Sequence, residues 1–129
     1  MLRTSLNGNF TANKGSAVAT VNTIVYRFGR ASGYGTGKVT AVNVTITYYA
    51  GTDHSRTITG MTKIQTLTNG AVDGDSGGPY AMYTNQNEYC ICGIQSGGTK
   101  NSSGVCVYMN MTPYALIHNA TGFNVETDN

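Results

Sequence analysis

Residues 38–49 carry Val39, Ala41, Val44, Ile46 and Tyr48 at the spacing of one long strand, and a strand of that length cannot stand alone. A partner lies just upstream. Thr23–Phe28 reads Thr-Ile-Val-Tyr-Arg-Phe, rich in β-branched and aromatic side chains, and a glycine-punctuated turn from Gly29 to Gly37 separates it from the long strand, as in a hairpin. Thr57–Leu67 reads as one or two further strands after a polar loop over Ala50–Arg56. Tyr80–Tyr83 and Glu88–Gln95 read as a second hairpin across Thr84–Asn87, Gly97–Gly104 as a loop, and Val105–Met109 as another strand. One helix is expected, with Thr112 as N-cap, Pro113 at the first helical position, Tyr114–His118 continuing and Gly122 as the stop. Residues 1–20 open with a short strand-like piece and contain turns at Asn7-Gly8-Asn9 and Asn13–Ser16. Thr, Gly, Asn and Ser supply 57 residues, a polar content that suits strands and tight turns and suits long helices badly. The sequence predicts an all-β fold: a single antiparallel barrel of six to eight short strands with a short C-terminal helix.

Charge narrows the class of partner. Eight Lys and Arg against six Asp and Glu leave a net charge of +2, and charged residues make up 11% of the 129 positions, well under half of the roughly 25% of an average soluble protein. Disordered polyampholytes and nucleic-acid-coating basic surfaces are poor matches, so no nucleic-acid partner is expected. No apolar run reaches the roughly 20 residues that cross a bilayer, so no membrane partner is expected either. The start, Met1-Leu2-Arg3-Thr4-Ser5-Leu6-Asn7-Gly8, lacks the apolar stretch of a signal peptide. Three cysteines, Cys90, Cys92 and Cys106, allow one cross-strand disulfide or none, the second option leaving three half-buried small apolar side chains. With two distant histidines they match no zinc pattern, and neither a metal nor a cofactor is expected.

Gly74-Asp75-Ser76-Gly77-Gly78-Pro79 is the stretch whose residues suit catalysis better than scaffolding. A serine hydroxyl becomes a nucleophile when a tight turn presents Oγ beside a base and backbone N–H groups converge on the oxygen that gains charge. Gly74 can aim its N–H beside that of Ser76 as a two-donor oxyanion hole, and Gly77 and Gly78 let the chain pass close to a substrate. Pro79 then opens a strand where no ladder donor is needed. Gly, Asp, Ser and Pro are also the commonest turn formers, but the full string coincides here with the surrounding strand pattern.

This string resembles the nucleophile motif of chymotrypsin-like serine peptidases, in the bacterial branch that includes the streptogrisins and α-lytic protease. The likeness spans about residues 23–125: Gly37–Tyr48 is similar to the branch's long strand, Ser96-Gly97-Gly98 to its substrate-binding segment, and Tyr114–Asn119 to its terminal helix. The resemblance implies two regions, residues 1–22 as the end of a first barrel with the connection between barrels, and residues 23–129 as the second barrel. It implies Ser76 as the acylated nucleophile, with the N–H groups of Gly74 and Ser76 as the oxyanion hole. It implies Asp75 as a buried carboxylate locking that loop, with an internal arginine as partner, Arg27 ahead of Arg30. Gly70, Ala71, Val72 and Asp73 would form one wall of the specificity pocket, Ser96, Gly97 and Gly98 the other, and Gly104 would lie near its floor. A large apolar or aromatic side chain would enter the pocket, or a basic one steered by Asp73. The implied function is peptide-bond hydrolysis by a secreted serine endopeptidase, acting on peptide or protein substrates.

The resemblance also marks what is missing. The family's general base lies in a Thr-Ala-x-His-Cys type motif, and nothing here is similar to it; Met1-Leu2-Arg3 is similar to the strand that begins just after the family's Asp. His54, in the loop Gly51–Ser55, and His118, near the end of the helix, are not expected to serve. The disulfide that the branch carries around its nucleophile is absent, its places falling at Gly70 and near Asn101. The chain is thus expected to be the nucleophile-bearing half of an enzyme, cut short, that associates with a first barrel or with itself through an exposed face. The alternative is a pseudo-peptidase, a peptide-binding half-barrel that does not cleave.

Overall fold

The computed structural model describes residues 3–5, 9–11, 16–85 and 88–122. Strands β1 (Arg3–Ser5) and β2 (Asn9–Thr11) form a small antiparallel pair of their own. Strands β3 (Ile24–Gly29), β4 (Gly33–Tyr48), β5 (Arg56–Thr68), β6 (Pro79–Asn85), β7 (Glu88–Lys100) and β8 (Cys106–Pro113) close into an antiparallel barrel in the order β3-β4-β5-β8-β7-β6. Helix α1 (Tyr114–Thr121) follows β8 directly. The expected all-β barrel with one terminal helix is what forms. Asn7, Gly8 and residues 13–15 of the expected N-terminal turns, and Gln86 and Asn87 of the expected hairpin loop, lie outside the described residues.

Several boundaries differ from expectation, each for a physical reason. The turn after β3 is short, because β4 begins at Gly33 and pairs Gly33, Gly35 and Gly37 with Gly29, Arg27 and Val25. Those glycines are strand residues: a Cβ on Gly35 would overlap the Asn69 carbonyl oxygen, and one on Gly37 would overlap Ile64. β4 bends through bulges at Val39/Ala41, Ala41/Val44 and Val44/Ile46, where Asn43 takes φ 55°. Thr57–Leu67 lies within one strand, β5. β7 runs on through the expected loop as far as Lys100, because Gly97, Gly98 and Thr99 pair with Asn110, Met109 and Tyr108. Pro113, with φ −63° and ψ 149°, caps α1 without a side-chain bond, while the Thr112 hydroxyl bonds Ser96 Oγ instead. Gly122 ends the helix at φ 75°, donating to the His118 carbonyl at 2.7 Å.

Inside the barrel, Val25, Val39, Ile64, Tyr80, Cys92, Cys106, Met109 and Met111 form the main core. Arg27 is buried in the same interior because it alternates inward with Val25 on β3. All three cysteines are buried and none is joined in a disulfide, so the bridge does not form. Burial pushes the Cys92 thiol up to about 12, and Cys106 donates to the Tyr108 carbonyl. Cys92 therefore packs as a small apolar side chain.

Packing at Gly93 gives a direct check. A Cβ there would overlap the Thr112 carbonyl oxygen and press on Met111 across the β7–β8 ladder. Gly93→Ala is expected to lose about 1–3 kcal/mol of stability, read as a lower urea midpoint at unchanged slope.

Candidate functional site

The site follows from the strand order. β6 lies between β3 and β7, so residues 69–78, which lead into β6, are flanked by the end of β3 on one side and by β7 on the other. Gly77 N–H donates to the Gln95 carbonyl at 2.9 Å and Gln95 N–H to the Gly78 carbonyl at 2.8 Å. Asp75 N–H donates to the Val72 carbonyl at 3.1 Å and Gly78 N–H to the Asp75 carbonyl at 3.0 Å. The result is a tight double turn in which Gly74 sits at φ 98° and Gly77 at φ 89°, conformations that exclude most other residues. The amides of Gly74 and Ser76 donate to no backbone carbonyl among the described residues, while those of Asp75, Gly77 and Gly78 all do. Ser76 itself is exposed.

Asp75, 1% exposed, holds the turn. Its Oδ1 accepts from the amides of Ala31 at 2.8 Å and Ser32 at 3.0 Å. Its Oδ2 accepts from the Val72 amide at 2.9 Å, the Ser32 hydroxyl at 2.5 Å and Arg27 Nη1 at 3.2 Å. Burial works against ionisation, but the bonds from Ser32, Val72 and Ala31 outweigh it and hold the carboxyl down at about 2. Arg27, 0% exposed, also donates through Nη2 to the Asn69 carbonyl at 2.5 Å. Asn69 Nδ2 in turn donates to the carbonyls of Ser32 and Tyr34, both at 2.7 Å. Arg27 is thus the arginine that meets Asp75, and Arg30 lies exposed in the turn. A Cβ on Gly29 would overlap Asp75 Oδ1, so glycine is what leaves room for the carboxylate.

A cavity of about 110 Å³ opens beside Ser76, lined by Ala71, Val72, Asp73, Gly97 and Gly98 together with Gln95, Lys100 and Cys106. Gly70 and Gly104 line the neighbouring cleft of about 600 Å³ instead, which shares Ala71, Val72, Lys100 and Cys106 with the smaller one. Gly104 turns at φ 81° in a loop closed on Asn101, and Cys106 lines both the cleft and the smaller cavity. Ser96 directs its hydroxyl to Thr112 and, unlike Gly97 and Gly98, does not line the 110 Å³ cavity. β6 pairs with β7 only as far as Ile94, so from Ser96 to Lys100 the edge turned away from β8 carries no strand among the described residues. Gly97 is kept small by Tyr48, whose ring carbon Cε1 would lie 2.7 Å from a Cβ there.

Residue reading alone missed Ser32, Asn69, Gln95, Lys100 and Cys106. Gly29 and Gly35, glycines inside strands, carried the available signal of a close approach. Neither histidine lines the 110 Å³ cavity. His54 lies exposed in the β4–β5 loop, and His118 stacks on Tyr114 at 5.7 Å beside the apolar groove under α1. Among the described residues no group of three or more His, Cys, Asp or Glu side chains is placed to hold a metal ion.

Breaking the buried pair from one side is expected to cost about 3–5 kcal/mol. Asp75→Asn should show this at pH 7 in urea unfolding. The folded carboxyl titrates below its ordinary value, so the contribution of its charge is present above about pH 4 and lost as pH falls through about 2, and the gap between the variant and the parent narrows there.

No protein-family model matches the chain. Among solved structures it is similar to Thermobifida fusca protease A, with 27% identity and a TM-score of 0.72 over 94% of this chain and 57% of that one. A glutamic-acid-specific serine protease that uses a histidine triad in substrate binding matches at 26% identity and TM-score 0.73, over 96% of this chain and 59% of that one. Cellulomonas bogoriensis chymotrypsin matches at 28% and 0.71, over 94% and 58%. The chain therefore spans a little under three fifths of the length of these neighbours.

Proposed function

Starting from a chain that has the C-terminal barrel of the bacterial chymotrypsin-like serine proteases, we propose that it is the nucleophile-bearing half of an extracellular serine endopeptidase. In this reading residues 23–129 form the second barrel, and residues 1–22 are the end of a first barrel and the connection to it. Ser76 Oγ attacks the carbonyl of a peptide laid along the open edge Ser96–Gly98 as an added strand. Its proton passes to a base, and the oxygen that gains charge is held by the amides of Gly74 and Ser76. Collapse of the tetrahedral adduct expels the amine and leaves the acyl group on Ser76, which water then removes. No helix among the described residues is long and apolar enough to cross a membrane.

One observation carries this reading: a turn closed by Asp75 in which the amides of Gly74 and Ser76 are the two left without a backbone acceptor among the described residues. Binding alone would not require that arrangement. The base and the carboxylate that orients it would come from the first barrel, which these neighbours are long enough to include. One observation favours a second reading, a peptide-binding half-barrel without cleavage: neither histidine lines the cavity at Ser76.

Treating the 129-residue chain with a fluorophosphonate probe separates the two. The half-enzyme reading expects slow formation of a single adduct, absent in Ser76→Ala and accelerated by added imidazole acting as a surrogate base. Residual reactivity of that kind matches the rate that an oxyanion hole keeps when its base is gone. Intact mass showing no adduct at any imidazole concentration would leave the binding reading standing.

A further inference from the structure

The cavity beside Ser76 has a polarity that the expected specificity does not match. Its volume of about 110 Å³ is below the roughly 150 Å³ of a cavity that takes up benzene, so an aromatic ring would have to extend into the neighbouring cleft that shares Ala71, Val72, Lys100 and Cys106. Its fixed charges are one cation, Lys100, and one carboxylate, Asp73, both exposed and with no ion pair between them among the described residues. The neutral lining therefore decides which sign of charge is favoured.

That lining offers a donor. Gln95 is 4% exposed, and the Tyr80 hydroxyl donates to its Oε1 at 2.5 Å. Burial pushes the Tyr80 phenol well above its ordinary range, which keeps it an O–H donor. With the oxygen turned to Tyr80, Nε2 donates one hydrogen to the Gly97 carbonyl at 2.6 Å. The second N–H has no acceptor among the described residues, and the Cys106 thiol is already directed to the Tyr108 carbonyl.

We infer that the cavity receives a short acidic side chain, with Lys100 supplying the countercharge and Gln95 a directed N–H. This rests on the reading of Ser76 and the Ser96–Gly98 edge as a peptide site, and adds to it the class of residue placed next to the bond attacked. A carboxylate meeting an ammonium and a buried amide N–H gains charge-assisted hydrogen bonds. An ammonium there would meet Asp73 alone and would face Lys100.

The test is binding of product-like peptides, N-acetyl-Ala-Ala-Pro-Xaa with a free C-terminus and Xaa as Glu, Gln, Phe or Lys, to the full chain at neutral pH, followed by NMR titration. The Glu peptide is expected to bind about tenfold tighter than its Gln isostere. Lys100→Gln should bring that ratio close to one, and Asp73→Asn should widen it; both positions are exposed, so the fold is kept. Equal binding of the Glu and Gln peptides, tighter binding of the Lys peptide, or a Glu preference that survives Lys100→Gln overturns this inference alone. Failure of all four peptides to bind overturns it together with the peptide-site reading.

Discussion

The contact between Arg27 and Asp75 is the constraint on which the rest of the structure depends. Two opposite charges with side chains 0% exposed give up hydration worth several kcal/mol each, and their mutual attraction repays that only when the remaining bonds are made. Asp75 accepts five, from Arg27, Ala31, Val72 and twice from Ser32. Arg27 spends a second nitrogen on the Asn69 carbonyl. Apart from Arg27 itself, on β3, those partners belong to turns that must therefore stay in place: 30–32 after β3, Asn69 after β5, and 72–75 before β6. Gly29 and Gly35 are what this arrangement asks of the strands around it, since a side chain at either would occupy the space of the pair or of Asn69.

Barrel closure makes the pairing possible between residues 48 apart in sequence. β3 finds β4 through a local hairpin, but it finds β6 only when the sheet closes, and that closure sets Tyr26 and Arg27 against Ala81 and Tyr80. The turn ahead of β6 then falls against the inward face of β3 on one side and Gln95 of β7 on the other. In the proposed reading, the Gly74 and Ser76 amides are thereby oriented by the folded scaffold before a substrate would arrive. Such preorganised donors are effective because nothing has to be reoriented as charge develops.

How much of this could be read from the sequence divides along the same line. The barrel class, β3 and the terminal helix were legible because alternating β-branched residues and a Pro-start, Gly-stop pattern are local signals. The Gly74–Pro79 string was legible as a turn with unusual chemistry, since its residue choices are improbable together. Glycines in strands misled: Gly35 and Gly37 look like part of a turn because the reason for their smallness, Asn69 and Ile64, lies some 30 residues away. The strand read as Glu88–Gln95 stops short of Lys100 for the same cause, there the Tyr48 ring and the β8 ladder around Gly97 and Gly98. Ser32, Gln95 and Lys100 gave no local signal whatever, because each takes part in the site only through contacts that closure of the barrel creates.

The composition of the site also separates its two physical tasks. The Asp75 turn is held by Arg27, residues 31–32 and 69–78, and Gln95, so in the proposed reading the donors for a developing oxyanion are fixed within this barrel. Proton removal from Ser76 is a different demand, met by a base within hydrogen-bond reach, and neither histidine lines that cavity. The electrostatic part of such a site is static and can be built into a rigid core. The proton-transfer part needs a group whose protonation changes at neutral pH, and a carboxyl held down at about 2, as Asp75 is, does not change there. In the proposed reading, a base carried on a separate element lets one scaffold keep an ionised Asp75 carboxylate next to a serine that gives up its proton in the reaction.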